Sequence, residues 1–216
     1  RAPCDHVGMV RGEPAEFRSR LNMAAAVAVW MLAAAIAVAS LLAGPTELVQ
    51  NLPLAGGVAM VGWAALWRPS VRVDDDAVEL VNVTHTARIP WDAVIEVDTK
   101  FALTIRTPRA VYSAWAAPAP GRFSSRAALR RTRRKASAED GDPLRPAPLG
   151  ERTSDLPSTD SGDAAQIVRD RWQRLLDADS IRIGEAERVA ATRTWHVATI
   201  AVTLGLFTTW VVLAFG

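Results

Sequence analysis

The sequence predicts an α+β membrane protein: a helical transmembrane hairpin, a small antiparallel β domain with an amphipathic capping helix, and a third, C-terminal transmembrane helix. Three observations predict it. Hydrophobic residues are 50% and charged residues 22% of the 216 positions, and the two classes are segregated. Apolar residues gather in 23–43, 48–67 and 195–215, whereas nearly all charge lies in 68–193. Between the second and third apolar stretches the pattern changes to short runs of period two, the signature of half-buried strands. The net charge of +2 carries little meaning as a total, because each charge acts on the side of the bilayer where it sits.

Met23 to Ala43 holds no charged residue, and at the helical rise it spans about 30 Å, the thickness of a hydrocarbon core. A soluble helix of that length needs a polar face, which this one lacks. Leu48 to Trp67 is the return leg of a hairpin whose turn is Gly44-Pro45-Thr46-Glu47. Gln50, Asn51 and Pro53 stand in its first turns, where Pro is tolerated because the first N–H groups lack intrahelical partners. Ala55, Gly56, Ala59 and Gly62 offer small contacts to the first helix. Trp195 to Phe215 spans again, with Trp195 and Trp210 near its ends as interfacial aromatics. His196, next to Arg193, reads as an interfacial histidine without chemistry.

Orientation follows from the flanks. Arg11, Arg18 and Arg20 precede the first span, Arg68 and Arg72 follow the second, Arg188 and Arg193 precede the third, and the hairpin turn has no Lys or Arg. The expectation is a multi-pass protein of the cell membrane with the N-terminus and residues 68–193 cytoplasmic and the C-terminus outside. The preference for Arg over Lys and the abundance of Ala suggest a GC-rich bacterial genome. Cys4, the lone cysteine, cannot form an internal disulfide and reads as a bystander.

The expected organisation is a cytoplasmic N-terminal segment 1–22, the hairpin 23–67, a β domain 68–121, a disordered linker 122–163, an amphipathic then polar helix 164–193, and the last span 194–216. Six strands fit the β domain: Val71–Val73, Val78–Val83, Ala87–Ile89, Val94–Val97, Phe101–Ile105 and Ala110–Trp115. Asp74-Asp75-Asp76, Thr84-His85-Thr86 and Thr107-Pro108-Arg109 supply turns. Trp91, after Pro90, reads as a core anchor, and His85 as a polar hairpin residue. About 50 residues make a small β core, so a covering helix is expected. Residues 164–178 supply one, with Ile167, Val168, Trp172, Leu175 and Leu176 on one face. Packing on the open sheet is its favoured role, and lying in the bilayer interface the second.

The order of these parts carries a resemblance. An arginine-proline exit from the membrane, a strand ending in an acidic turn, a strand with Val81-Asn82-Val83-Thr84, and Ile89-Pro90-Trp91 leading into Val94-Ile95-Glu96-Val97 resemble the bacterial pleckstrin-homology-like domain of actinobacterial membrane proteins. The resemblance covers residues 67 to about 116 and the hairpin. It implies a twisted PH-type sheet closed by a C-terminal helix, and it names no catalyst. The sequence departs from that pattern by a long polar insertion before the capping helix.

That insertion has two halves of opposite sign. Arg122, Arg126, Arg130, Arg131, Arg133, Arg134 and Lys135 form a basic run without an acid. Anionic lipid headgroups attract such a tethered cluster by about 1 kcal/mol per basic residue. Nucleic acid is not an expected partner, since a single run without interleaved aromatics is no reading motif. Residues 136–163 then carry seven acids against two arginines, with frequent Pro, Gly and Ser.

No nucleophile elbow, phosphate-cradling glycine loop or paired metal ligands stand in the sequence, so no enzyme activity, cofactor or metal is expected. The expected role is a non-catalytic adaptor presenting a cytoplasmic surface to a membrane or cytoplasmic protein. The competing readings are a sensor of anionic lipid through the basic run, or an accessory subunit of a larger membrane complex.

Overall fold

The computed structural model describes residues 13–99, 102–118, 160–181 and 186–216. Helix α1 covers Arg20–Ala43 and α2 covers Pro45–Gly62. Gly44 joins them at φ +129°, a conformation that L side chains rarely adopt, and Pro45 occupies the first turn of α2. The second span thus begins three residues before the expected Leu48. It continues past Gly62 as a π-helical turn, Trp63–Trp67, closed by the Arg68 N–H donating to the Trp63 carbonyl at 2.8 Å. The third long apolar helix, α4, covers Val197–Phe215. All three are long and apolar enough to cross a membrane.

Helix α2 packs on both other spans. Gly62 lies against Val29 and Trp30 of α1, and the Trp30 indole N–H donates to the Ala59 carbonyl at 3.1 Å. Gly56 and Gly57 instead face Leu206 and Phe207 of α4. The small residues expected to serve the first helix are therefore divided between two neighbours, because successive helical positions turn by about 100°. Asn51, polar inside the second span, accepts from the Trp210 indole at 3.3 Å.

The β domain has two sheets. The first runs in the order β1 (Ala15–Phe17), β2 (Ser70–Val73), β3 (Ala77–Val81), β4 (His85–Pro90), β8 (Thr192–Trp195), all neighbours antiparallel. The second is β5 (Glu96–Asp98), β6 (Ala102–Arg106), β7 (Val111–Pro118). All six expected strands are present, and β1 and β8 add one at each edge of the first sheet. Alternation sends Val71, Val73, Val78, Leu80, Ile89, Leu103 and Ile105 into one core, each at most 1% exposed. Each such side chain contributes about 1.5–3 kcal/mol relative to exposure. On the solvent face Glu16, Arg72, Glu79 and Arg88 are register partners across four strands, so the charge sign alternates from strand to strand. Burial raises the Glu16 pKa, but the hydrogen bonds that Arg72 and Arg18 donate to its carboxylate act against it, and the pKa lies below the usual range.

Helix α3, Asp160–Asp177, closes the core. Ala164, Ala165 and Val168 are fully buried, and Ile167, Trp172, Leu175 and Leu176 pack against the cluster. The amphipathic face therefore covers both sheets rather than lying in the bilayer. The helix starts at Asp160, inside the expected linker, because Ser161 and Gly162 are themselves buried and acidic residues suit a first turn. A continuous helix to residue 193 is not what forms. α3 ends at Asp177, residues 186–188 form a turn, and Thr192–Trp195 is strand β8. Hydrogen bonding to the free edge of β4 satisfies the backbone there, which a polar helix on the surface would not do better. The third helix accordingly starts at Val197, after Trp195 rather than on it.

Trp91 sits in a 3-10 turn at 3% exposure, its indole N–H donating to the Asp74 carbonyl at 2.9 Å. It is a core anchor, as its sequence context indicates. The Asp74 carboxylate accepts from the Asp76 and Ala77 N–H groups at 2.8 and 2.6 Å. The acidic triplet is a turn closed by its own first side chain.

Candidate functional site at the membrane junction

Three short connections join the helices to the β domain, and each is fastened by side chains. Between β1 and α1, Ser19 caps the helix by accepting from the Asn22 N–H at 3.2 Å, and its hydroxyl donates to Asp160 of α3 at 2.5 Å. Between α2 and β2 stands Arg68. Between β8 and α4 stands His196. The starts of α1 and α4 and the end of α2 therefore meet the domain on one side of the helices.

Arg68 and His196 form the densest polar node. The π turn places the Arg68 guanidinium 5.0 Å over the Trp63 ring. Its terminal nitrogens donate to the Thr199 hydroxyl at 3.1 Å, to the Asn82 carbonyl at 3.3 Å, to the Val83 carbonyl, and to His196 Nδ1. Arginine has no acceptor, so Nδ1 must carry the lone pair and Nε2 the proton. Nε2 lies 3.0 Å from the Thr86 hydroxyl, and the His196 backbone N–H donates to the Thr84 carbonyl at 2.8 Å. One arginine and one histidine thus tie the second span, the β3–β4 turn and the third span together. Arg68 Nε is buried without a partner among the described residues. Burial lowers the Arg68 pKa. Burial, and then the Arg68 charge, lower that of His196, with the Val83 carbonyl acting weakly in the opposite direction.

His85 stands beside this node. Its ring packs on Trp195 at 5.3 Å between centroids, and Arg193 lies 5.6 Å over the Trp195 ring. Burial, followed by the Arg193 and His196 charges, lowers the His85 pKa. Asn82 links the sheets at the same corner, donating to the Ser113 carbonyl at 3.0 Å and accepting from the Trp115 N–H at 2.8 Å. Trp115 returns to the membrane end of α2, its indole N–H donating to the Ala65 carbonyl at 2.9 Å.

A second node fastens the capping helix. Arg171, only 4% exposed, donates to Asp75 in the acidic turn and to the Glu13 carbonyl before β1. Among the described residues no group of three His, Cys, Asp or Glu side chains is placed to hold a metal ion. The residues expected to bind lipid, Arg122, Arg126, Arg130, Arg131, Arg133, Arg134 and Lys135, lie outside the described residues, as does Cys4. Arg68 and His196 enter the sequence reading only as a flanking charge and an interfacial histidine. A tryptophan five residues before the arginine, and the Thr192–Trp195 run of β-formers before the histidine, are the local signals that mark them.

No curated protein and no solved structure matches the chain. Residues 68–171 match the family of the bacterial PH domain. The strands β1 and β8 that complete its first sheet lie outside the matched stretch. The stretch similar to a bacterial PH domain thus runs from Arg68, just past the second apolar helix, to Arg171 in the capping helix.

Proposed function

We propose that the chain is a non-catalytic adaptor in which the membrane helices hold a PH-like module at fixed orientation in the cytoplasm, where it offers a surface to a protein partner. The observation that supports this is the fastening of the domain at all three helix connections, through Ser19, Arg68 and His196. A module on a loose tether samples many orientations, and one pinned at three points presents the same face continuously, which lowers the orientational cost of docking. Placement in the cytoplasm rests on the arginine flanks, and actinobacterial origin on the Ile89-Pro90-Trp91 resemblance.

The partner-facing surface in this reading is the end of the second sheet remote from Trp115. There Ile95 and Val111, 53% and 58% exposed, flank Arg106, whose side chain lies 3.5 Å from Glu96. Ile95 is joined to this row by its N–H donating to the Arg106 carbonyl, and Arg106 is paired with Val111. Two apolar side chains beside a charged pair suit a small protein contact.

The test is purification of the full chain from mild detergent beside an Ile95→Glu/Val111→Glu variant. A stoichiometric protein carried by the first and lost from the second supports the adaptor. Anionic lipid recovered alone from both rejects it and favours the lipid sensor based on residues 122–135.

A further inference from the structure

Two hollows meet where the β domain stands on the helices. The larger, about 750 Å³, is bounded by the last turn of the second span at Ala65 and Leu66 and by Asn82, His85, Ser113 and Trp115 of the domain. That volume is within the range of about 300–1,000 Å³ typical of ligand sites. The smaller, about 170 Å³, is a crevice between α2 and α4, with Val61 and Ala64 facing Ile200 and Leu204. Both are lined by Ala65, Val83 and Thr84, so the crevice continues the cleft toward the interior of the spans.

Polarity changes along this path. At the domain end stand the Thr84 hydroxyl and the His85 ring, with the Arg193 guanidinium beyond Trp195. At the helix end the walls are aliphatic apart from Thr199 and Thr203, whose hydroxyls are both used internally: that of Thr199 accepts from Arg68 at 3.1 Å, and that of Thr203 donates to the Thr199 carbonyl at 2.8 Å. The Trp115 ring, 57% exposed, is held at the boundary by its bond to Ala65. Aromatic rings with one polar edge favour the headgroup level of a bilayer.

We propose that this continuous cleft holds one phospholipid of the leaflet on the domain side. An acyl chain occupies the crevice between α2 and α4, and the phosphate region lies at Thr84 and His85. Three features select that ligand. The site opens at the level where the helices leave the membrane, it is apolar below and polar above, and the full charges beside it, on Arg68 bonded to Val83 and Thr199 and on Arg193 beyond Trp195, are positive, complementary to a phosphodiester. The lipid acts as a wedge between the second and third spans beside the Arg68–His196 tie. This goes beyond the adaptor reading and does not depend on it.

The experiment reconstitutes the full chain in nanodiscs of phosphatidylethanolamine and phosphatidylglycerol containing phosphatidylglycerol with a photoactivatable acyl chain. Labelled peptides are then mapped by mass spectrometry. Labelling is expected to concentrate on residues 61–66, 113–115 and 200–204. Ser113→Trp, at an exposed position whose backbone bonds it leaves intact, fills the cleft. Thr203→Phe fills the crevice. Each should lower labelling there about tenfold, while labelling at lipid-facing Leu32 is unchanged. Even labelling along all three spans overturns the proposal, as does labelling that neither variant reduces. Cross-linking of residues 119–159 into the cleft in place of lipid also overturns it. Equal labelling by a photoactivatable free fatty acid overturns the assignment to a phospholipid.

Discussion

Arg68 donates to His196 across 128 positions of sequence, and the pair joins the end of one long apolar helix to the start of another. Each is one residue from its span: Arg68 follows Trp67 and His196 precedes Val197. The bond therefore couples the helices at the point where both enter the β domain. It also fixes β8 on β4, since the His196 N–H continues the ladder onto the Thr84 carbonyl. A shift of the third helix must move this sheet edge, and the reverse holds as well.

Replacing Arg68 by alanine removes several charge-assisted hydrogen bonds at once and leaves the Val83 carbonyl without that donor. A single bond of this kind contributes about 1.5–3 kcal/mol. Arg68→Ala is expected to lower the thermal midpoint of the full chain in detergent, followed by tryptophan fluorescence, by several degrees. Arg68→Lys should recover only part, because one ammonium cannot reach Thr199, Val83 and His196 in the fork geometry of a guanidinium. An unchanged midpoint in Arg68→Ala shows that the junction is held by apolar packing alone.

The His196 pKa lies below its ordinary value of 6.5, lowered by burial and by Arg68. The unfolded chain then binds a proton more readily than the folded one, so stability at this site is complete above pH 6.5 and is lost as pH falls through the folded pKa. Protonation places an N–H of His196 against the Arg68 N–H groups, with Arg193 and His85 the other titratable groups nearby. Hydrogen exchange of the β8 amides, corrected for intrinsic rate, is expected to accelerate below pH 6.5 and to stay flat above it. In His196→Asn the acid acceleration should disappear. Acceleration that persists in that variant locates the sensitive group elsewhere.

The six central strands were legible because each has a buried and an exposed face and because Asp, Thr and Pro clusters separate them. Leu103 and Ile105 against Thr104 and Arg106 show the rule directly. The capping helix was legible from Ile167, Val168, Trp172, Leu175 and Leu176. The two edge strands were not. β1 has only three residues, too few for the alternation of Ala15, Glu16 and Phe17 to stand out, and all four residues of β8 are exposed, so no alternation of burial is written into it. What makes them strands is a partner far along the chain, Arg72 for Glu16 and Ala87 for Arg193. At the junction node, local signals mark Arg68 and His196 singly, but their pairing was not legible, since local periodicity carries no information about residues 128 apart.

Trp91 fills the core and closes the acidic turn through the Asp74 carbonyl. Trp91→Ala is expected to cost about 3–5 kcal/mol, enough to unfold a domain of marginal stability. Trp91→Phe keeps most of the ring volume and loses the hydrogen bond, a change of about 1–2 kcal/mol. Denaturant unfolding read by near-ultraviolet dichroism distinguishes the two. Equal losses in both variants place the contribution in the hydrogen bond rather than in the volume.

Asp75 and Arg171 fasten the capping helix to the first sheet, and their surroundings differ: the Arg171 side chain is 5% exposed and that of Asp75 is 29% exposed. Removing the acid therefore leaves a buried cation against one carbonyl, whereas removing the cation leaves an acid that water can reach. Asp75→Ala is expected to destabilise by about 3–5 kcal/mol, the range for breaking a buried pair from one side. Arg171→Met keeps the apolar stem and should cost less. The double variant should stand close to Arg171→Met alone, so the two single losses do not add. Thermal unfolding of the four proteins in one detergent measures the cycle. Additive losses contradict direct coupling, and a neutral Asp75→Ala shows that the Glu13 carbonyl and the burial of Ala164, Ala165 and Val168 hold the helix without the ion pair.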